Sequence, residues 1–535
     1  MSIPRSVAEI LSEHVTLELE GIDRMYLNVY VPRLQREAGV AGFFRFHRGH
    51  RFASSVLMDP ISKAFVGKLE AFAAQHAIPV VTFRKGERKD DVAAQYLSAF
   101  KAEEGVLFIG KAQEKAPVFR TERRRNPKTG ATYPWLVRST AMVNQFYVYA
   151  VDRDFGPFFL KFCSYFPYNA KLCINGHEWL KRQLALRGIG YQALDNGILS
   201  CEDATRAQAL CEALSAQKID ALLRKWLRRL PHPFTPADRA AGYRYDISIL
   251  QAEFSLTQVL DRPVTGRAFF EEVIRENLDI GRPSQAQLIF ERRVSRRTPG
   301  RFRTRVITEG VIPSLHVDYK SSRIKQYHKE GRALRTETTI NNTRDFGIGK
   351  HLRNLPALRS IGFQANRRLL DVQTASHDCA IGEDAFDQVV RPIEVDRQRA
   401  TALRFGDART QALLNALVMF SVHTQGFTHA QLRAHLSNLL GINPGDFGAG
   451  RMTYDLRRLR LHGLIRRIPK TNRYQITAQG LKVAMFFSRT YTRLLRPGLA
   501  EITEPLARSG SPLRAAFDRV HSAIDQRCED LKLAA

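Results

Sequence analysis

A chain of 535 residues with 82 Lys and Arg against 53 Asp and Glu carries a formal net charge of +29, an imbalance that points to a polyanionic partner. No stretch approaches the ~20 apolar residues of a membrane span, and no single amphipathic helix concentrates the charge as an anionic membrane surface would demand. The opening MSIPRSVAEILSEHV lacks a signal-peptide pattern and Cys163, Cys173, Cys201, Cys211, Cys379 and Cys528 form no C-x-x-C pair, so a cytoplasmic protein with reduced thiols is expected, and a zinc ribbon is not.

The length suits several domains, and the expected fold class is α+β multidomain. Residues 1–140 read as an α/β domain. Within it, residues 17–31 contain short apolar runs, residues 41–46 read as a strand, and residues 61–76 read as a helix with Phe65, Leu69 and Phe72 on one face. Residues 78–83 and 106–109 are apolar runs of the parallel-strand type. Between them lies a helix at residues 92–100 that Asp90 and Asp91 can cap, which makes a βαβ unit. Basic segments follow both strands, with Lys85 and Arg88 after the first and Lys111 after the second. Ligands bind beyond the carboxyl ends of strands in open α/β sheets. These three residues are therefore candidates for phosphate contact, the alternative being a solvated rim. Neither segment has the glycine spacing of a P-loop. Residues 120–128, RTERRRNPK, extend the basic character and fit an electrostatic track for nucleic acid.

Residues 141–230 read as an aromatic β-hairpin, MVNQFYVYAV returning as FFLKFCSYF, followed by a basic amphipathic helix at residues 205–230. The hairpin turn holds Asp152 and Asp154. Two carboxylates there could hold Mg²⁺ as metal-dependent nucleases require, and Asp and Gly are also what turns use. The strand, acidic turn and second strand are loosely similar to the opening of a ribonuclease-H-like fold. His177, beside Trp179, reads as a structural residue.

Residues 231–404 form a basic, β-rich centre. PHPFTPAD marks a joint between domains, residues 267–277 read as a helix, residues 286–340 as strands, and residues 341–401 as loop-rich. Alternation places Arg323, Lys325, Tyr327 and Lys329 on one strand face. A turn at Glu330-Gly331 brings back Arg335, Glu337, Thr339 and Asn341. Such a face suits stacking of nucleic acid, an ordinary exposed sheet, or an active site in which Glu337 and Asp318 join Asp152 and Asp154. The segment resembles the Tyr-x-Lys then Arg-x-Glu hairpin of some plasmid and phage replication initiators. Those proteins also use a histidine pair and a nucleophilic tyrosine, and His47-Arg48-Gly49-His50 has one residue more than that pair.

In residues 405–490, Met452, Leu456 and Leu459 fall on one helical face. Arg457 and Arg460 lie on another with Thr453, and Arg451 and Arg458 lie nearby. Gly463 stops the helix. Two strands then flank the turn Pro469-Lys470-Thr471-Asn472, with Arg473 opening the second. Residues 409–487 resemble the winged helix-turn-helix superfamily. That resemblance implies a C-terminal winged helix with its arginine helix in the major groove of duplex DNA and Lys470 and Arg473 on the backbone; protein contact or dimerisation is the alternative. Residues 491–535 read as a helical tail. The expectation is a nucleic-acid-binding protein of a mobile element or replication system, gripping duplex DNA by preference, or structured RNA, over several domains. The alternative is a nuclease or nicking enzyme with Mg²⁺ as cofactor.

Overall fold

Strand β1 (Val15–Tyr30) sets the architecture by its alternation: Met25, Leu27 and Val29 are wholly buried while Tyr26 and Asn28 between them are half-buried. Such a strand needs a covered apolar face and pairing on both edges. In the computed structural model, which describes residues 7–84, 86–269, 303–307, 314–329, 332–377, 381–420, 426–443, 446–495 and 512–530, β1 lies inside an eleven-stranded sheet. The other strands in chain order are β2 (Val80–Thr82), β3 (Gly105–Arg125), β4 (Thr132–Asp152), β5 (Gly156–Cys163), β6 (Ala170–Asn175), β7 (Tyr191–Leu194), β8 (Gly197–Cys201), β9 (Asp246–Leu260), β10 (Arg303–Ile307), β11 (Ser314–Tyr319), β12 (Ser322–Lys329) and β13 (Ala333–Ile340). The sheet order is β10-β11-β12-β13-β9-β1-β6-β5-β4-β3-β2. Every pair is antiparallel except β2 with β3, which is parallel with Val80 opposite Ile109. The pair β7–β8 forms a separate hairpin.

One face of the sheet carries the main core. Met25, Leu27, Leu160, Leu172, Ile249 and Phe254 pack there under the helices Ser55–Gln75, Ala216–Arg229 and the start of Leu355–His377. The other face has two local covers. Helix Lys89–Ala99 packs over Phe108, Tyr147 and Tyr149. Helices Gly176–Ala185 and Ala204–Glu212, with the β7–β8 hairpin, pack over Leu17, Leu19, Val259 and Ala333. Between the covers lie Arg24, Tyr26, Lys161, Lys171, Glu253, Tyr327 and Glu337, all half-buried.

The βαβ unit and the hairpin turning at Asp152 form as the alternation predicts. Other elements differ from the sequence expectation, each for a local reason. Residues 41–46 are helical, comprising helix Glu37–Gly42 and a π-helical turn Phe43–His47. Consecutive Phe43 and Phe44 are both buried, which a half-buried strand would not allow. Residues 205–230 are two helices, because Ser215 caps the second by accepting a hydrogen bond from the Lys218 amide. Strand β3 runs on through Gly110 and Lys115 to Arg125, so Lys111 sits in a strand and not in a loop. Residues 341–401 contain helices Leu355–His377 and Glu383–Val390. The predicted helix 267–277 is helical to residue 269; its remainder, Lys85, the Glu330-Gly331 turn and Cys379 lie outside the described residues. Cys163, Cys173, Cys201, Cys211 and Cys528 are free. Among the described residues no helix is long and apolar enough to cross a membrane.

The chain divides into two compact units. The first is chiefly Ser12–Phe270 with Arg293–Asn366, and the second is chiefly Arg367–Ala535. The second unit holds a small hairpin of β14 (Ile393–Val395) and β15 (Gln398–Ala400). It continues with helix Ala408–Phe420, β16 (Phe427–Thr428), helices His429–Leu439 and Ala449–Leu461, then β17 (Ile465–Arg467), β18 (Arg473–Ile476) and helix Ala478–Arg489. Thr428 and Gln431 form a capping box that starts helix His429–Leu439. Strands β16, β18 and β17 pair in that order. Leu413, Leu417, Leu432, Leu436, Leu456, Leu459 and Phe487 fill a core of their own. Helix Pro512–Asp530 follows.

Candidate nucleic-acid interface and a buried charge cluster

Helix Ala449–Leu461 is held by Met452, Leu456 and Leu459, all buried at the spacing the sequence predicts. Asp455 is buried beside them and accepts from Arg409 Nη2 at 2.5 Å. Burial pushes the Asp455 carboxyl up, against the pull of Arg409. This arrangement recruits Arg458 inward: its side chain is 12% exposed, donates to Thr410 Oγ1 at 3.3 Å and lies 4.0 Å from Asp455. Arg458 is therefore part of the packing, unlike the outward residue expected from the sequence. Arg451, Arg457 and Arg460 are exposed. At 100° per residue they span one outward arc with Thr453 and Tyr454, opposite the apolar stripe.

The β17–β18 hairpin stands beside this helix in the chain. Arg466, Arg467 and Lys470 are exposed on it. Arg467 donates to Thr471 O at 3.0 Å and to Asn472 Oδ1 at 3.1 Å, which steadies the turn. Arg473 is half-buried and donates to Gly426 O at 2.9 Å, so it fastens β18 near β16. Arg466 and Arg467 were not among the sequence candidates, although their place in a two-residue-period strand next to a turn was a usable signal.

In the first unit, β12 and β13 set Lys325 opposite Glu337 and Tyr327 opposite Arg335. A register shift in β1 between Ile22 and Met25 brings Asp23 to the same place. Arg335 is completely buried. Its Nη2 lies 2.8 Å from Asp23 Oδ2 and its Nε 2.9 Å from Glu337 Oε1. It also donates to the carbonyl of Asn196 and contacts His177 Nε2. Asn196 Nδ2 donates to Asp23 Oδ1 at 2.8 Å, and Tyr327 Oη donates to Glu337 Oε1 at 2.8 Å. The Lys325 ammonium sits 4.2 Å over the Tyr327 ring.

The charges in this cluster are divided unequally. Burial opposes ionisation of Asp23, but Arg335, His177 and the Asn196 amide outweigh it and hold the carboxyl below its usual range. Burial and the Asp23 charge push Glu337 up to about 7 against the pull of Arg335. Burial and Arg335 bring His177 down to about 3, so the imidazole is neutral and can accept from the guanidinium. Two carboxyls around one buried arginine thus share the task of compensating it, with one proton retained near neutrality.

The remaining acidic candidates are satisfied separately. Asp152 is buried, takes hydrogen bonds from Lys225 Nζ at 2.7 Å and Trp226 Nε1 at 2.8 Å, and accepts from the amides of Asp154 and Phe155. Its carboxylate builds the turn, and Asp154 is exposed. Asp318 lies 2.7 Å from Arg323. Among the described residues, Asp152, Asp154, Asp318 and Glu337 enter no three-ligand cluster of metal-binding side chains. Arg323 is exposed and Lys329 half-buried, the latter 3.6 Å from Asp195. Arg88 is exposed at the start of helix Lys89–Ala99, while Lys111 is half-buried opposite Thr82. A residue absent from the sequence candidates, Lys89, lies 2.7 Å from Glu114. Against the opposing effect of burial, Lys161, Lys89 and Tyr147 hold Glu114 down to about 2.

Beyond Gln145, β3 and β4 leave β5 and continue as a two-stranded ribbon to Arg125 and Thr132. Arg120, Arg123, Arg124, Arg125, Lys128 and Arg138 are exposed on it. Trp135 is 44% exposed with the Arg124 guanidinium 4.8 Å from its ring. No protein-family model matches the chain, and no curated protein or solved structure does so at a significant level.

Proposed function

We propose that this is a nucleic-acid-binding protein whose second unit contacts duplex DNA in the manner of a winged helix-turn-helix. The observation that carries the reading is the division of helix Ala449–Leu461: Met452, Leu456 and Leu459 are buried, while Arg451, Arg457 and Arg460 are left outward. A helix fits the major groove, and guanidinium groups match guanine edges and phosphates in bidentate fashion. The exposed Arg466, Arg467 and Lys470 of the neighbouring hairpin suit backbone contacts, which position a protein without reading sequence. The net charge of +29 supplies the long-range attraction. The nuclease alternative draws no support from Asp152, whose carboxylate accepts from the turn amides of Asp154 and Phe155.

Fluorescence anisotropy of the full chain with labelled duplex DNA, single strands and structured RNA tests the reading. Duplex DNA should bind most tightly. In the R457A/R460A variant, each lost base contact should cost about 1–3 kcal/mol, roughly 5–150-fold in affinity. Unchanged duplex affinity at both low and moderate salt would sink the proposal.

A further inference from the structure

A second basic feature lies in the first unit, formed by arginines that were not among the sequence candidates for nucleic-acid contact. Arg33, Arg224, Arg244, Tyr245 and Asp246 line a cleft of about 540 Å³, a volume within the range of small-ligand sites, about 300–1,000 Å³. Three guanidinium groups reach it from three separate places in the chain, and each is anchored by a backbone carbonyl. Arg33 Nη1 donates to Ala241 O at 3.1 Å, Arg224 Nη1 to Tyr245 O at 2.7 Å, and Arg244 Nε to Arg239 O at 2.7 Å. Arg224 is held further by both oxygens of Asp220, at 3.4 and 3.1 Å. Gly242, at φ +91°, also lines the cleft, and a Cβ there would lie 3.1 Å from Arg33 Nη1. Glycine suits that backbone conformation and leaves the guanidinium room.

The charge of the cleft is unbalanced. Asp246 is the one acidic residue lining it, and its Oδ1 accepts from the amide of Ile247 at 2.8 Å. Among the described residues no carboxylate forms an ion pair with Arg33 or Arg244. With Arg224 paired to Asp220, Arg33 and Arg244 leave the cleft with cationic groups open to an anion, and the fork of a guanidinium matches the oxygens of a phosphate.

We propose that this cleft is a phosphate-binding site, taking either a backbone phosphodiester of nucleic acid or a free phosphate. Arg33 and Arg244 contribute the direct contacts, and Arg224 shapes the floor. Arg138, at the base of the basic ribbon, donates to the carbonyl of Gln35, two residues from Arg33. The ribbon and the cleft are thus adjacent, as a track for a continuous polyanion requires. The site does not depend on the DNA-contacting role proposed for the second unit.

The test uses the full chain and the R33A/R244A variant, with circular dichroism to verify folding. Both residues are exposed, so the variant should fold. One arm measures binding of a labelled single strand and a labelled duplex across a salt series. Loss of two phosphate contacts should lower the salt slope by about two. The other arm measures the rise in melting temperature with inorganic phosphate, which the variant should lose if the site takes free phosphate. A change in the first arm assigns the cleft to a nucleic acid backbone; a change in the second alone assigns it to a small phosphate ligand. If the variant matches the wild type in both arms, the proposal is wrong. The phosphate arm reads the cleft even if R457A/R460A has no effect on DNA, so the two proposals fail separately.

Discussion

Arg335 shows how much can rest on one side chain. It is fully buried between Asp23 and Glu337, and removing one member of a buried ion pair leaves the other uncompensated, at a cost of about 3–5 kcal/mol. Arg335→Ala should therefore lower the unfolding free energy of the first unit by that amount, read from urea denaturation as a lower midpoint. Tyr327→Phe, which removes one hydrogen bond to Glu337, should cost about 0.5–1.5 kcal/mol. Glu337 also makes a pH prediction. Its folded pKa, about 7, lies above the ordinary carboxylate value. The folded state then holds a proton that the unfolded state has released, so this contribution is full below the ordinary carboxylate range and is lost as pH rises to about 7. His177, depressed to about 3, acts in the opposite sense, since its contribution is lost as pH falls below the ordinary imidazole range. The informative quantity is thus the difference between wild type and E337Q. Between about pH 5 and 7.5, urea denaturation should show the wild type losing more stability than the variant, and parallel curves would place the retained proton elsewhere.

At the scale of elements, the β3–β4 ribbon and helix Ala478–Arg489 make contrasting demands. The ribbon exposes its arginines, and exposed charges contribute little to stability. Replacing Arg123, Arg124 and Arg125 with serine should leave the melting temperature nearly unchanged. It should reduce the salt dependence of nucleic-acid binding if the ribbon takes part. Equal salt slopes would remove the ribbon from the interface. Helix Ala478–Arg489 tolerates no such change at Gly480, where a Cβ would lie 2.0 Å from the carbonyl oxygen of Leu464. Gly480→Ala should force the helix away from the residue preceding β17, with overpacking strain of about 1–3 kcal/mol visible as a lower denaturation midpoint of the second unit.

For the whole molecule, the relevant fact is that each unit has its own core. A fragment starting at Arg367 and running to the C-terminus carries the second core complete with its arginine helix. It should give a cooperative thermal transition and retain salt-dependent duplex binding. A fragment that folds but has lost all duplex affinity would move the DNA contact to the first unit.

Periodicity and composition alone determined several things about this protein: the basic charge, the βαβ unit, the hairpin turning at Asp152, and the buried stripe of helix Ala449–Leu461. Apart from the charge, these depend on side-chain order within single elements and their short connections, so local pattern is sufficient. They also marked Arg457 and Arg460 as outward residues, because an amphipathic helix has only one free side. What the tertiary structure alone decided concerns charges whose partners are remote. Asp23 and Arg335 are 312 residues apart, and nothing near Glu337 in the chain announces that it will keep a proton. Arg458 looked equivalent to its neighbours until Asp455 and Thr410 turned it inward. The cleft draws Arg33, Arg224 and Arg244 from three segments, each unremarkable by itself. Spacing reveals which face a side chain occupies. Its burial and charge state depend on what packs against that face, and here those elements come from distant parts of the chain.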